Sequence, residues 1–423
     1  RRQSEVGGGI GGEPAKPSPN GVADEHHSRG FALRKAGDFK GAVAEYTKAI
    51  QANPLHFKAY FNRGFAWDKL RKFDRAVGDY SKALELEPSN AYAYYNRGIS
   101  HDRGGDFSKA IEDFSQAIVL MPENSDFYHN RGFCFRKQGN FTAAIADYSE
   151  SIRLDPQHYK AVYNRAFSYD KLGRHDEALE DYTRALQMQP KNSTAYHNRG
   201  NTLEKMGRLE EAMADFTQAV NLDENSSASK HARAVLFDKL GRYSEAMADF
   251  DAAILQEPLN AVYHHNRGLC SRNLEDYRTA ISNYERAIQL DATYVNAYNN
   301  RGYAYRKLGR YDEAVDDYTH ALELDPENVK TYNNRGYSYA KTGRYPEAIM
   351  DYTRVIELDR MNSHAFHNRG ISYDKIGDFE KAIADFTKVL ELESGHENTP
   401  SSKAGAALQH RLAAMQKRTQ QAG

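Results

Sequence analysis

The stretch AYYNRGISHDRGGDFSKAIEDFSQAIVLMP, residues 93–122, decides the fold because its pattern returns along most of the chain. Copies begin every 34 residues, eleven times between Ala23 and His396. With positions numbered 1–34 in each copy, position 20 is Ala and position 24 is Tyr or Phe in all eleven. Positions 8 and 15 are each Gly in nine copies, and position 32 is Pro in seven. A fixed period of this length indicates a solenoid of tandem repeats with no single core.

Each copy contains two amphipathic helical patterns. Apolar and small residues at positions 4, 8 and 11, and again at 17, 20, 24 and 27, recur at helical spacing. Gly at position 15 supplies the permissive backbone that ends the first helix, and a basic residue at position 13 in ten copies suits the negative end of that helix. Pro at position 32 ends the second helix. Small residues at positions 8 and 20 allow close approach of the paired helices, with the ring at 24 filling the adjacent space.

This combination of period and residue choice resembles the tetratricopeptide repeat, and the resemblance covers nearly 90% of the chain. It implies an all-α fold, a right-handed superhelical α-solenoid of helix-turn-helix units whose first helices line a concave groove. We predict a flexible Gly/Pro-rich tail at residues 1–22, eleven repeats at 23–396, and a capping helix with a short tail at 397–423. The apolar stripe of that capping helix is Ala404, Leu408, Leu412 and Met415.

Composition restricts the classes of partner. Lys plus Arg total 57 and Asp plus Glu total 58, which argues against nucleic acid or an anionic membrane as the main partner. The longest apolar runs are a few residues, too short to insert across a bilayer. Cys134 and Cys270 fall at the same repeat position, which indicates two buried thiols rather than a disulfide or a metal site. We interpret the start at Arg1, without Met, as that of a fragment or a processed form.

Position 6 is the main candidate for peptide binding because it is Asn in nine repeats. An Asn amide can exchange two hydrogen bonds with a peptide group. First helices about 10 Å apart would meet an extended chain, which advances about 3.3 Å per residue, at roughly every third residue. The row is similar to the asparagine ladder in the repeat region of O-GlcNAc transferase. The alternative is that these residues pack against the adjacent helix for structural reasons. They are Asn62, Asn96, Asn130, Asn164, Asn198, Asn266, Asn300, Asn334 and Asn368.

Position 5 is His in six repeats and belongs to the same predicted groove. The spacing argues against a metal site, since most of these repeats are not adjacent. Two interpretations stay open: a groove that gains positive charge below about pH 6.5, or an ordinary wall of polar and aromatic rings. The six are His27, His129, His197, His231, His265 and His367. We assign His129, His197, His265 and His367 to the candidate binding site.

Arg occupies position 7 in all eleven repeats, and position 23 is acidic in ten. We predict forked ion pairs between the two helices of each repeat, which would fix their register. The alternative is a row of arginines that binds phosphate or acidic peptide. A free Arg267, whose matching residue is Asn283, would favour this alternative. Repeat 7 departs from the pattern at Lys230, Ala232 and Ala234, which predicts either a bend between two binding halves or a drifted repeat.

The repeats contain no phosphate-binding loop, zinc-ligand pair or nucleophile motif. We therefore predict a scaffold or adaptor without catalytic activity or cofactor, which binds partner proteins or extended peptide segments. The alternatives are a structural subunit of a large assembly, such as a ciliary axoneme or a transport complex, and the targeting arm of a larger enzyme. Family members that bind the C terminus of heat-shock proteins use Lys at position 5 and Arg at position 6. Neither residue occurs at these positions here, so we do not expect this partner. We expect a cytoplasmic location, with a ciliary or flagellar one as the alternative.

Overall fold

The computed structural model describes residues 19–394 and Ala413. This part of the chain consists of 22 α-helices joined by short turns, without a β-strand. The all-α solenoid class predicted from the period is therefore confirmed. The chain divides into two compact units, one ending at Leu222 and the other beginning at Asp223. Odd-numbered helices are called A helices and even-numbered ones B helices, because each repeat contributes one of each.

Unit 1 contains six helix pairs. Its helices are α1 Pro19–Lys35, α2 Phe39–Ala52, α3 Phe57–Lys69, α4 Phe73–Leu86, α5 Ala91–Gly104, α6 Phe107–Leu120, α7 Ser125–Lys137, α8 Phe141–Leu154, α9 Tyr159–Lys171, α10 His175–Met188, α11 Ser193–Lys205 and α12 Leu209–Leu222. Every A helix packs against its own B helix, and every B helix of the unit up to α10 also packs against the next A helix.

Unit 2 contains five helix pairs, arranged by the same rule. Its helices are α13 Ser227–Lys239, α14 Tyr243–Gln256, α15 Ala261–Asn273, α16 Tyr277–Leu290, α17 Val295–Lys307, α18 Tyr311–Leu324, α19 Val329–Lys341, α20 Tyr345–Leu358, α21 Ser363–Ile376 and α22 Phe379–Ser394. The unit begins at the junction before repeat 7, where the sequence departs from the pattern.

The core of each repeat is the contact between position 8 of the A helix and the ring at position 24 of the B helix. The rings at position 24 are 0–1% exposed, and the alanines at position 20 are fully buried. A Cβ atom built on Gly302 would lie 2.9 Å from Cε1 of Tyr318, so glycine lets the two helices close on the ring. Ala166 and Ala234 are also fully buried at this position, which shows that one methyl group can be accommodated.

The turn between the two helices of a repeat uses a left-handed backbone conformation at position 15. The nine glycines at this position have φ between 73° and 89°. Arg71 and Glu275 hold the same position with φ of 58° and 59°, a conformation that costs L residues about 1–2 kcal/mol. The predicted role of position 15 as the end of the first helix is confirmed.

Replacing Arg71 with Gly is expected to raise the free energy of unfolding of unit 1 by about 1 kcal/mol, because glycine adopts positive φ without steric cost. Urea unfolding followed by far-ultraviolet circular dichroism measures this change. The reciprocal variant Gly173→Arg, at a turn with φ of 74°, should lose a similar amount. An unchanged or lower midpoint for Arg71→Gly would contradict the expectation.

The first helix begins at Pro19, so the predicted end of the tail at residue 22 is wrong by four residues. Proline suits the first turn of a helix, where its missing N–H has no intrahelical partner to lose. The Asn20 side chain is also held, since its Oδ1 accepts a hydrogen bond from Asn53 Nδ2 at 3.0 Å. Residues 1–18 and the predicted capping helix at 397–423, apart from Ala413, lie outside the described residues.

Cys134 and Cys270 are both free and fully buried, as predicted. Burial raises the pKa of the Cys270 thiol to about 12 and raises that of Cys134 further. Both are therefore protonated, unreactive core residues. None of the described helices is long and apolar enough for a bilayer crossing.

Candidate functional site

Within each unit, neighbouring A helices contact one another and are bridged by side chains at positions 5, 6, 9, 12 and 13. We call the surface that these positions form the A face. It contains the predicted asparagine and histidine rows, and each unit carries its own set. Asn62, Asn96, Asn130, Asn164 and Asn198 belong to unit 1, and Asn266, Asn300, Asn334 and Asn368 belong to unit 2.

Most of the asparagines at position 6 are fixed by the ring at position 5 of the preceding repeat. In six of the nine, all within residues 19–394, the amide Nδ2 donates to a histidine Nε2 or a tyrosine hydroxyl at 2.5–3.3 Å. The pairs are Asn62–His27, Asn130–Tyr95, Asn164–His129, Asn198–Tyr163, Asn266–His231 and Asn300–His265. All nine asparagines are half-buried. The structural interpretation therefore accounts for one N–H of each of these six residues. Asn130 Nδ2 also donates to the Asp126 carbonyl at 2.7 Å, and Asn300 Oδ1 accepts from Arg272 Nη1 at 3.0 Å.

The hydrogen bonding of the three remaining asparagines depends on which residue occupies position 5 of the preceding repeat. Phe61 offers no acceptor, so Asn96 donates instead to its own helix, to the Tyr92 carbonyl at 2.8 Å. Position 5 of repeats 9 and 10 is itself Asn, and no ring is available there. Among the described residues, the side-chain amides of Asn334 and Asn368 have no hydrogen-bond partner. These two keep their full capacity for a ligand.

The histidines at position 5 are packed against the core ring of their own repeat. His129 lies 5.9 Å from the Tyr148 ring centroid, and the corresponding distance is 5.8 Å for both His197–Phe216 and His367–Phe386. His265 lies 5.6 Å from its ring, that of Tyr284. The interpretation as a polar-aromatic wall fits these contacts.

Burial changes the charge expected on this wall. Together with a smaller contribution from the neighbouring His158, it lowers the pKa of His129 from 6.5 to about 4. Burial also lowers the pKa of His27, His197 and His265. The hypothesis of a groove that becomes positive below about pH 6.5 is therefore wrong for His129, because its neutral form is stabilised well below that pH. Within the part of the chain that the structure describes, no three metal-ligating side chains converge on one point.

The predicted ion pairs between positions 7 and 23 form in nine of the eleven repeats, all of which lie in the described residues. In each, Nε and Nη2 of the arginine donate to the two carboxylate oxygens at 2.6–2.9 Å. The acidic partners are 4–9% exposed. The pairs are Arg63–Asp79, Arg97–Asp113, Arg131–Asp147, Arg165–Asp181, Arg199–Asp215, Arg233–Asp249, Arg301–Asp317, Arg335–Asp351 and Arg369–Asp385.

Seven of these arginines make a third bond that the sequence reasoning missed. Their Nη1 donates to a Ser or Thr hydroxyl at position 25 of the preceding repeat, at 3.0–3.2 Å. The guanidinium thus joins three helices. Hydrogen bonds from Arg131 to Asp147 raise the pKa of the arginine, while burial raises that of the Asp147 carboxyl.

The two exceptions exclude a free arginine row. Arg267 donates from Nε to Asp251 at 2.7 Å and from Nη1 to the side-chain oxygen Oδ1 of Asn283 at 3.2 Å, so it is not free. Arg29 pairs with Glu25 on its own helix. A free Arg267 would have favoured an arginine row that binds phosphate or acidic peptide, and Arg267 is held by these two bonds.

A second inter-repeat network lies at positions 9, 12 and 13 of the A face, and the sequence reasoning did not find it. In three repeats, an arginine at position 12 places its guanidinium between the position 9 rings of its own and the next repeat; the three are Arg34, Arg136 and Arg306. Arg136 lies 4.9 Å from the Phe133 centroid and 5.1 Å from that of Phe167. In two repeats, an aspartate at position 12 pairs with the base at position 13 of the next repeat: Asp68 with Arg103, and Asp170 with Lys205 at 2.5 Å.

Comparison with known proteins matches residues 57–90, 91–124, 125–158, 159–192, 193–226, 295–328, 329–362 and 364–396, more than half of the chain, to a family model described as tetratricopeptide repeat. Residues 272–309 match a model described as TPR repeat, and residues 29–69 match another tetratricopeptide repeat model. A search of curated protein sequences returned no match.

Solved structures with similar folds include three helical-repeat proteins. YrrB, described as a TPR protein with an unusual peptide-binding site, is 25% identical over 44% of this chain and 97% of its own, with a TM-score of 0.41. Yeast Tom70 is 15% identical over 94% of this chain and 96% of its own, with a TM-score of 0.42. The Cut9–Hcn1 heterotetramer of the APC/C is 16% identical over 84% of both chains, with a TM-score of 0.46.

Proposed function

Because this chain belongs to the tetratricopeptide repeat family, we propose that it is a non-catalytic scaffold that binds extended peptide segments of partner proteins on its A face. The observation that carries the proposal is the row of half-buried asparagines at position 6. Six of them are held by the preceding ring, so the amide is oriented before a ligand arrives. A binding group that is already ordered loses less conformational entropy on association.

The remaining polar capacity of these amides suits a peptide backbone. In Asn130 and Asn164 one N–H donates to the preceding ring, which leaves the carbonyl oxygen as an acceptor. The same contact recurs in six repeats. Neighbouring first helices are about 10 Å apart, a distance that an extended chain covers in about three residues. Contacts to backbone amides carry little side-chain specificity. The scaffold would therefore accept many sequences, and preferences would come from the side chains around the row.

Replacing Asn96, Asn130, Asn164 and Asn198 with Ala is expected to weaken peptide binding by unit 1 about 30-fold, since each lost hydrogen bond is worth about 0.5–1 kcal/mol and the losses are not fully additive. The corresponding set in unit 2 is Asn266, Asn300, Asn334 and Asn368. Random dodecapeptides displayed on phage and selected on the full chain supply the ligands, and fluorescence anisotropy measures their affinity.

A matched control removes exposed B-helix side chains from the same unit: Glu112, Gln116 and Glu180, each changed to Ala. This variant should bind as the parent does. Circular dichroism must show unchanged helicity for every variant compared. If both asparagine sets bind peptides with the affinity of the unmodified chain, the A face asparagines do not bind the backbone.

A further inference from the structure

The A face of unit 2 contains a cavity of about 360 Å³ lined by residues of α19, α20 and α21. The apolar part of its wall includes Tyr337, Tyr345 and Ile371. The polar part includes two lysines, Lys341 and Lys375, together with Asn368 of the asparagine row. The cavity thus combines aromatic surface, positive charge and an amide without a hydrogen-bond partner among the described residues.

The cavity exists because position 12 of repeat 10 is Ala340. In the preceding repeat, Arg306 fills the equivalent space, with its guanidinium 5.0 Å from the Tyr303 centroid and 4.9 Å from that of Tyr337. Arg136 fills it in the same way between repeats 4 and 5. Alanine ends at Cβ and cannot reach the space between Tyr337 and Ile371, which therefore stays open.

The same substitution removes a carboxylate that pairs with a base elsewhere in the chain. At equivalent positions, Asp170 pairs with Lys205 at 2.5 Å and Asp68 pairs with Arg103. Lys375 occupies the position of Lys205, but Ala340 stands where the aspartate would be. Within residues 19–394, Lys375 is exposed and has no carboxylate partner. Repeat 11 therefore has the lysine of this pair, whereas repeat 10 lacks the aspartate.

We propose that this cavity binds a glutamate or aspartate side chain of the peptide, so that unit 2 prefers acidic segments. The inference rests on the proposed function, because the acidic residue belongs to the same bound peptide. The ligand carboxylate takes the place of the missing aspartate beside Lys375, and its methylene groups lie against Tyr337 and Ile371. The free amide of Asn368 donates to the carboxylate or to the adjacent peptide group.

The test uses pairs of fluorescent dodecapeptides, taken from the phage selection, that differ by one Glu→Gln change. The full chain should bind the Glu member about tenfold more tightly, as expected for a charged hydrogen bond in a partly desolvated site. Ala340→Asp supplies the carboxylate from the chain itself, as Asp170 does, and should reduce the ratio to about one. Lys375→Ala should reduce it likewise by weakening only the Glu peptide.

The matched control is Lys171→Ala, because Lys171 occupies the same repeat position beside a space that Arg136 already fills. This variant should keep the tenfold ratio. Equal binding of the Glu and Gln peptides by the unmodified chain, or an unchanged ratio in Ala340→Asp, overturns the acidic preference and leaves the scaffold proposal intact. If neither member binds the unmodified chain, both proposals fail.

Discussion

Replacing Arg165 with Ala is expected to lower the free energy of unfolding of unit 1 by about 3–4 kcal/mol, because the change leaves a buried carboxylate without its partner. Arg165 makes two bonds to Asp181, at 2.7 and 2.8 Å, and a third to Ser149 at 3.0 Å. Asp181 is 4% exposed, so water cannot replace the hydrogen bonds and the positive charge that the guanidinium supplies. Urea unfolding followed by circular dichroism measures the loss.

The chain offers its own comparison for this variant. Arg267→Ala should cost unit 2 only about 1 kcal/mol, since its partner Asn283 is neutral and the Asp251 side chain is 59% exposed. Arg29→Ala should cause no measurable change, because Arg29 and Glu25 are both exposed. Equal losses for Arg165→Ala and Arg267→Ala would show that burial of an unpaired charge is not the cause.

The double variant Arg165→Met, Asp181→Leu separates the cost of an unpaired charge from the value of the pair. Replacing both partners with apolar side chains removes the charges together, and buried pairs exchanged in this way often leave stability unchanged or raised. We expect the double variant to recover most of the stability that Arg165→Ala loses. A loss in the double variant as large as in the single one would mean that the pair itself supplies the stability.

The fold could be predicted because a few residues in each repeat mark its turn and the contact between its two helices. Gly at position 15 marks the turn, and the two exceptions, Arg71 and Glu275, adopt the same backbone conformation. The ring at position 24 and the small residue at position 8 identify which faces meet. The start of the first helix was less predictable, because Pro19 follows directly on a Pro-rich segment and resembles it in sequence.

The arginine pairs were also predictable, since opposite charges recur sixteen residues apart in repeat after repeat. The third bond, which seven arginines make, also has a signal in the sequence, because position 25 is Ser or Thr in nine repeats. It is acidic at Asp251, just before the repeat where Asn283 replaces the usual aspartate. Asp251 indeed pairs with Arg267. The acidic partner of Arg267 thus lies at position 25 of the preceding repeat, whereas in the forked pairs the acidic partner lies at position 23 of the same repeat.

The contacts between neighbouring A helices could not be predicted from one repeat, because they depend on the stagger between repeats. That stagger brings position 6 to position 5 of the preceding repeat, a separation of 35 residues in Asn164–His129. It also brings position 13 to position 12, as in Lys205–Asp170. Sequence periodicity assigns residues to a face but not to a partner on the next helix.

The buried state of His129 makes the stability of unit 1 depend on pH. Its pKa is about 4 in the folded chain and near 6.5 when exposed, so the unfolded chain binds the proton more tightly between these values. Stability from this group is therefore complete above about pH 6.5 and falls as the pH is lowered towards 4. The linked loss reaches about 2 kcal/mol at pH 5 and about 3 kcal/mol at pH 4.

The variant His129→Tyr tests this dependence without disturbing the packing pattern. Tyrosine is native at the same position in repeats 3 and 5, where the hydroxyls of Tyr95 and Tyr163 accept from the following asparagine. We expect the variant to match the parent at pH 7.5 and to retain about 2 kcal/mol more stability at pH 5. Urea unfolding of both proteins at both pH values gives the pH-dependent change in the free energy of unfolding of each. Subtracting one change from the other cancels the contributions of the other histidines. Parallel losses in the two proteins would mean that His129 is protonated as readily in the folded chain as in the unfolded one.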